Sequence, residues 1–278
     1  MTTTIKPQSP FSALKQKLKQ NLKRKRSRLV EMTAYWADTT KSLKDDQIRV
    51  VIFAQGRTGS TLLENLLSST GHFQEHGELL NTEFQEEVLF PIPFVRGLAK
   101  CSPKHFIFHS KLYHLTEDRQ RSVDPVYFLQ SLCAQGWKIV YLKRENKISH
   151  ALSNIIAKRR SIYHKYDNSK INLELTIDCQ ELVHWVERRF VLEAAENQVL
   201  EHFQGYETVI YEDDLMDGDA HQKTVDRLLG YLRLEHREAQ SKTKKINTLS
   251  LRELISNYDE FLDCVHQHGW EKYLPEDE

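Results

Sequence analysis

The chain has 278 residues, 40% of them hydrophobic, enough to bury one enzyme-sized core rather than two independent ones. Lysine plus arginine (39) equals aspartate plus glutamate (39), so no global field draws the protein onto a polyanion and anion binding must be local. Cys101, Cys133, Cys179 and Cys264 lie far apart without C-x-x-C or Cys/His ligand spacing, which argues against a zinc site or disulfide framework and for a reducing compartment. With no signal-peptide core and no run near the roughly 20 apolar residues of a membrane span, a soluble, cytoplasmic protein is expected.

In chain order, Phe11, Leu14, Leu18, Leu22 and Leu29 fall near one helical face, among Lys15, Lys17, Lys19, Lys23, Arg24, Lys25, Arg26 and Arg28. Residues 1–46 therefore read as a basic amphipathic arm. Two roles are open to it: peripheral docking on an anionic membrane surface, or a solvated helix laid on the domain.

From Arg49 the pattern changes, and residues 47–278 read as one domain. Short β-rich runs at Val50–Ala54, Phe106–Phe108, Ile139–Leu142 and Thr208–Tyr211 alternate with longer helical patterns. Helices are predicted at Ser60–Ser69, Val126–Leu132, Lys147–Tyr163, Glu181–Phe203, Lys223–Leu232 and Leu249–His268. This is the pattern of an α/β, three-layer fold with a central parallel sheet flanked by helices. Pro91, Pro93 and Pro103 mark the stretch after the first domain helix as loop-rich.

The first chemistry-bearing segment is Gln55-Gly56-Arg57-Thr58-Gly59-Ser60-Thr61, between an apolar strand and a helix whose inner face carries Leu62, Leu63, Leu66 and Leu67. Gly56 and Gly59 let the backbone approach a ligand, helix-start amides point at it, and Arg57 with the Thr58, Ser60 and Thr61 hydroxyls adds charge and donors. The strand, turn and helix are P-loop-like. A nucleotide kinase would carry G-x-x-x-x-G-K-[ST], but here Ser60 stands at the lysine position and Ala54 at that of the first glycine.

A second candidate receptor follows Trp137–Leu142: Lys143-Arg144, then a helix with Ser149 and Ser153 four residues apart on one face. Both loops leave the carboxyl ends of parallel strands, where ligands of open α/β sheets bind, so they are placed to bracket one nucleotide. Two further segments carry candidate groups. His72 to Asn81 contains Glu75, His76 and Glu78, and Phe106–Leu112 ends in Lys111, flanked by His109 and His114.

In these motifs the chain resembles the sulfotransferases that use 3′-phosphoadenosine-5′-phosphosulfate (PAPS), over roughly Val50 to Leu274. The resemblance implies that Gly56, Arg57, Thr58, Gly59, Ser60 and Thr61 hold the phosphosulfate, and that Arg144, Ser149 and Ser153 receive the 3′-phosphate. Cytosolic members usually place the serine eight residues after the arginine. Here Leu152 occupies that place and Ser153 is nine away, as in the bacterial trehalose-type enzymes. Glu78 is similar in position to the glutamate assigned as general base in that group, and Gly77-Glu78-Leu79-Leu80-Asn81 resembles the nodulation-factor sulfotransferases.

Lys111 is implied to stabilise transition-state charge; Tyr113 stands where cytosolic members have a histidine base. Tyr206–Leu215 also resembles a recurring segment, in which Glu212 and Asp213 read as scaffold. Lys242, Lys244 and Lys245 are candidates to close over the nucleotide. The implied acceptor is a carbohydrate or glycolipid hydroxyl, with neither metal nor nucleic acid as partner. An ATP-dependent small-molecule kinase and a non-catalytic nucleotide-binding or membrane-docking protein stay open as alternatives.

Overall fold

The computed structural model describes residues 10–83, 86–160, 175–240 and 250–274, with side chains from residue 25 onward and excepting residue 160. Lys242, Lys244 and Lys245 lie outside the described residues, as do residues 161–163 at the end of the helix predicted from Lys147.

The elements are α1 (Pro10–Thr40), β1 (Arg49–Ala54), α2 (Ser60–Ser69), β2 (Phe73–Glu75), α3 (Pro91–Cys101), β3 (His105–Ser110), α4 (Leu112–Leu115), α5 (Pro125–Cys133) and β4 (Lys138–Lys143). Then come α6 (Lys147–Arg160), α7 (Cys179–Leu200), β5 (Glu207–Ile210), a π-helical turn (Tyr211–Leu215), a 3-10 turn (Gly218–Ala220), α8 (His221–Leu232), α9 (Leu251–Leu254), α10 (Tyr258–Gln267) and a 3-10 turn (Glu271–Tyr273). The five strands form one parallel sheet in the order β2-β3-β1-β4-β5.

Alternation along the strands builds two layers of core. Val51, Phe53, Phe106, Phe108, Ile139 and Tyr141 face α3, α5 and α7, while Val50, Ile52, Ile107, Val140 and Val209 face α2 and α8. Helices on both faces explain why β1 is apolar from Val50 to Ala54 and all six of its residues are buried. A third cluster joins α6, α7, α9 and α10, seating the helix that carries Ser149 and Ser153.

Three expectations need correction. The proline-marked region is not loop throughout: Pro91 opens α3, because a proline in the first turn gives up an amide that has no intrahelical partner there. Gly97 on this helix lies so close to α1 that a Cβ would overlap the Ala34 carbonyl. The terminal helix is broken, since Ile255 bridges to Leu175 and Asn257 exchanges hydrogen bonds with the Ile177 backbone, separating α9 from α10.

The third correction concerns the cysteines. Cys179 at the start of α7 and Cys264 on α10 form a disulfide across 85 residues of sequence. Spacing gave no sign of it because the fold, not the local motif, brings the two together, and the cysteine-based case for a reducing compartment falls. His268 lies in the same group, with ligand atoms within 4.8 Å, but sulfurs bonded to each other have no thiolate to offer a metal. Among the described residues, no helix is long and apolar enough to cross a membrane.

A bridge closing so long a loop contributes on the order of 4 kcal/mol through the unfolded chain. Reduction is therefore expected to lower the melting temperature by several degrees, and the Cys179→Ser/Cys264→Ser protein to melt at the reduced value whether or not reductant is present; calorimetry with and without a dithiol checks this.

Candidate functional site

The turn after β1 is shaped by two residues with positive φ. Gly59, at φ 93°, is the residue before α2 and makes no side-chain cap, so the first amides of α2 stay uncapped. A side chain there would be strained and would meet the Tyr211 ring at 2.9 Å. Arg57 is also left-handed, at φ 69°, a conformation that costs a non-glycine residue about 1 kcal/mol. Strain of this kind collects where a ligand-facing backbone is over-determined by its surroundings.

Those surroundings are specific. The Thr58 hydroxyl closes the turn by donating to the Gln55 carbonyl (2.8 Å), and His150 on α6 holds the Gly56 carbonyl (2.7 Å). The Gly56 amide donates to the Tyr113 hydroxyl at 3.1 Å. Tyr113 thus serves as a backbone clamp in the place where a histidine base was absent. Ser60 is buried and Thr61 half-buried at the start of α2.

The two expected anion receptors meet. Arg57 donates through Nε to the Ser153 hydroxyl (3.2 Å), and Arg144 reaches the Arg57 carbonyl (3.4 Å). Arg144 stacks over Tyr211 with its guanidinium 4.6 Å from the ring centre, and its Nε faces Glu212 at 3.4 Å. Glu212 also accepts the Glu145 and Asn146 amides, so it anchors this loop as scaffold, whereas Asp213 is exposed. Ser149 is set by its amide, which donates to the Asn146 side chain ahead of α6 (2.8 Å).

Glu78 and Lys111 form a direct ion pair. Around it stand Asn81, which donates to Glu78, His109 with Nε2 at 3.3 Å and His114 with Nε2 at 3.7 Å. Glu64 on α2 holds the group from behind: one oxygen pairs with His109 Nδ1 (2.8 Å) and the other accepts the His76 and Gly77 amides (2.8 Å each). Glu75 is exposed at the end of β2, and His76 stacks on Phe106, so neither rival to Glu78 joins the cluster.

Charge follows from these contacts. Burial alone would raise the Glu78 carboxyl, but hydrogen bonding to His109 and the Lys111 charge outweigh it and hold the group well below the usual carboxylate range. Burial acts against the His109 cation, yet Glu64 and Glu78 raise its pKa and favour the imidazolium. His114 goes the other way: burial, with Lys111 nearby, pushes it down to about 3, and neither ring nitrogen has a hydrogen-bond partner. While paired with Lys111, Glu78 is a weak base, which the linear sequence did not reveal.

The sequence reading also missed the polar network behind the turn. The Gln55 side chain bonds the Arg189 carbonyl (3.3 Å) and Glu196 (3.2 Å), and accepts from the Arg189 guanidinium (3.3 Å). Burial, aided by Glu193, raises Glu196 to about 8 against the favourable bonds from Gln55 and Tyr141. Spacing within α7 is the one available signal: Arg189 and Glu196 lie seven apart and recur on its buried face.

No protein-family model matches the chain, and no curated protein matches it significantly.

A carboxyl whose folded pKa is raised to about 8 from an ordinary 4.5 costs stability only where the unfolded chain is ionised. Glu196→Gln should therefore leave stability unchanged below pH 4.5 and raise it by about 1 kcal/mol per pH unit from there to pH 8. Urea denaturation across that range measures the difference; a gain that does not vary with pH contradicts the assignment.

Proposed function

We propose that the protein is a PAPS-dependent sulfotransferase acting on a hydroxyl of a carbohydrate or glycolipid. The observation that carries this reading is the convergence at one sheet edge of a lysine-free phosphate turn, a second arginine–serine receptor and a buried Glu78–Lys111 pair. PAPS is anionic at both ends, and the two receptors lie side by side, joined through Arg57. The β2-β3-β1-β4-β5 strand order, with the turn leaving central β1, supports a P-loop-like reading of the fold.

In the proposed reaction the turn from Gly56 to Thr61 binds the 5′-phosphosulfate, while Arg144, with Ser149 and Ser153, takes the 3′-phosphate. The arriving phosphosulfate competes for Lys111. As Lys111 turns to the sulfuryl and bridging oxygens, Glu78 loses the cation that depresses its basicity and becomes able to accept a proton. The acceptor oxygen attacks sulfur in line as its proton passes to Glu78. The bond from sulfur to the phosphate oxygen breaks, and adenosine 3′,5′-bisphosphate leaves with Lys111 balancing its charge.

Titration calorimetry against adenosine 3′,5′-bisphosphate and ADP tests the nucleotide assignment. Micromolar affinity for the bisphosphate and at least tenfold weaker binding of ADP are expected, with Arg144→Ala removing the difference; preference for ADP, or magnesium-dependent phosphate transfer from ATP, overturns it. Glu78→Gln is expected to reduce sulfuryl transfer by roughly 10²–10⁴-fold while leaving bisphosphate affinity within a few-fold of wild type. Full retained turnover removes Glu78 as the base.

A further inference from the structure

Helix α1 has an inward and an outward face of opposite character. Inward, Ala34 and Ala37 are buried against α3 at Gly97, Glu31 accepts from the Leu89 amide (2.9 Å) and the Tyr35 hydroxyl (2.6 Å), and Asp38 pairs with Arg96 and Lys100. Both acidic side chains of the helix are thus engaged. Outward, Leu29, Met32 and Trp36 are 68%, 65% and 60% exposed along one line of the helix. A contiguous apolar row facing water on a monomer marks a binding surface.

The sequence extends that row. Beyond a gap at Lys25, Leu22, Leu18, Leu14 and Phe11 recur toward the amino terminus at three-to-four residue spacing, and Pro10–Val30 contains five lysines, three arginines and no acidic residue. From Leu18 to Trp36 the row keeps a seven-residue spacing, with Leu22, Leu29 and Trp36 in one set and Leu18, Lys25 and Met32 in the other, so Lys25 is its charged member. Spacing of that kind also occurs in a left-handed helix pair, so charge decides the occupant. An apolar row in a segment with eight cations and no acidic residue suits a plane of negative charge. A second copy of α1 would oppose cations with cations.

Placement relative to the site follows from the packing of α1 on α3. Glu31 lies beside Leu89, Asp38 beside Arg96 and Lys100, and Lys41 beside Cys101, so the two helices run in the same direction. Because α3 leads from the end of β2 to the start of β3, it begins at the carboxyl edge of the sheet. Residues 10–30 of α1, about 30 Å of helix, therefore precede that level, on the side of the anion turn, Lys111 and Arg144.

We infer that α1 docks on an anionic lipid surface, with the Leu29, Met32 and Trp36 row at the acyl boundary and the cations among the head groups, holding the sheet's carboxyl edge alongside the bilayer. Docking stands on the helix itself; that the acceptor is then a lipid-linked hydroxyl rests on the sulfotransferase reading.

Co-sedimentation of the full chain with phosphatidylcholine vesicles, with or without about a third phosphatidylserine, tests the docking. Binding to the anionic vesicles at least tenfold above the neutral ones is expected, weakening with salt, with a blue shift of Trp36 fluorescence that Trp36→Phe removes. Leu29→Asp/Trp36→Asp should abolish the binding while preserving the melting temperature and bisphosphate affinity, because both side chains point away from the fold. Failure to bind anionic vesicles, or undiminished binding by the double variant, overturns the inference. Self-association that the same variant abolishes assigns the row to a second copy instead. Loss of bisphosphate binding by the wild-type chain would sink the enzymatic reading and leave the docking result standing.

Discussion

The candidate site depends on one buried charge cluster. Glu64, His109, Glu78 and Lys111 alternate in sign along a chain of contacts that links α2, the loop after β2 and the end of β3. Two acidic side chains face two basic ones, and the backbone amides of His76 and Gly77 take up what remains of Glu64. Well-packed apolar residues would serve stability at least as well as such a cluster. It lies at the carboxyl edge of the sheet beside the turn after β1, where under the proposed function an arriving anion would redistribute the pairing.

The turn itself is held from all sides. His150 fixes the Gly56 carbonyl, Tyr113 the Gly56 amide, Gln55 sits on Arg189 and Glu196, and Arg57 spans to α6 while keeping a left-handed backbone. Such support from α6 and α7 fixes amide directions before a ligand arrives, which is how electrostatic stabilisation avoids reorganisation during reaction. Behind α6, the α9–α10 cluster and the Cys179–Cys264 bridge brace the same helix from the far side.

Much of this was legible in the sequence. The apolar run from Val50 to Ala54, the glycine–hydroxyl turn and the leucine face of α2 marked a strand, turn and helix, and α2 falls at Ser60–Ser69 as predicted. Arg144 and Ser153 were legible as a pair, although their link through Arg57 was not. What escaped was long-range. His109, Lys111 and His114 reach Glu78 from β3 and the turn beyond it, and Gln55 is met from α7, contacts across more than 30 residues of sequence. The Cys179–Cys264 contact spans 85 residues, and prolines that read as breakers served as helix starters at Pro91. The arm was read as amphipathic, but which face it buries became clear only from its packing on α3.

The Lys111 switch is the most exposed part of the mechanism. A crystal structure with adenosine 3′,5′-bisphosphate and a sulfuryl-group mimic bound tests it most directly. Lys111 is expected to have left Glu78 for the anion in the turn, with Arg144 on the 3′-phosphate and Glu78 facing the acceptor space. An intact Glu78–Lys111 pair, with the bisphosphate held elsewhere, would contradict it.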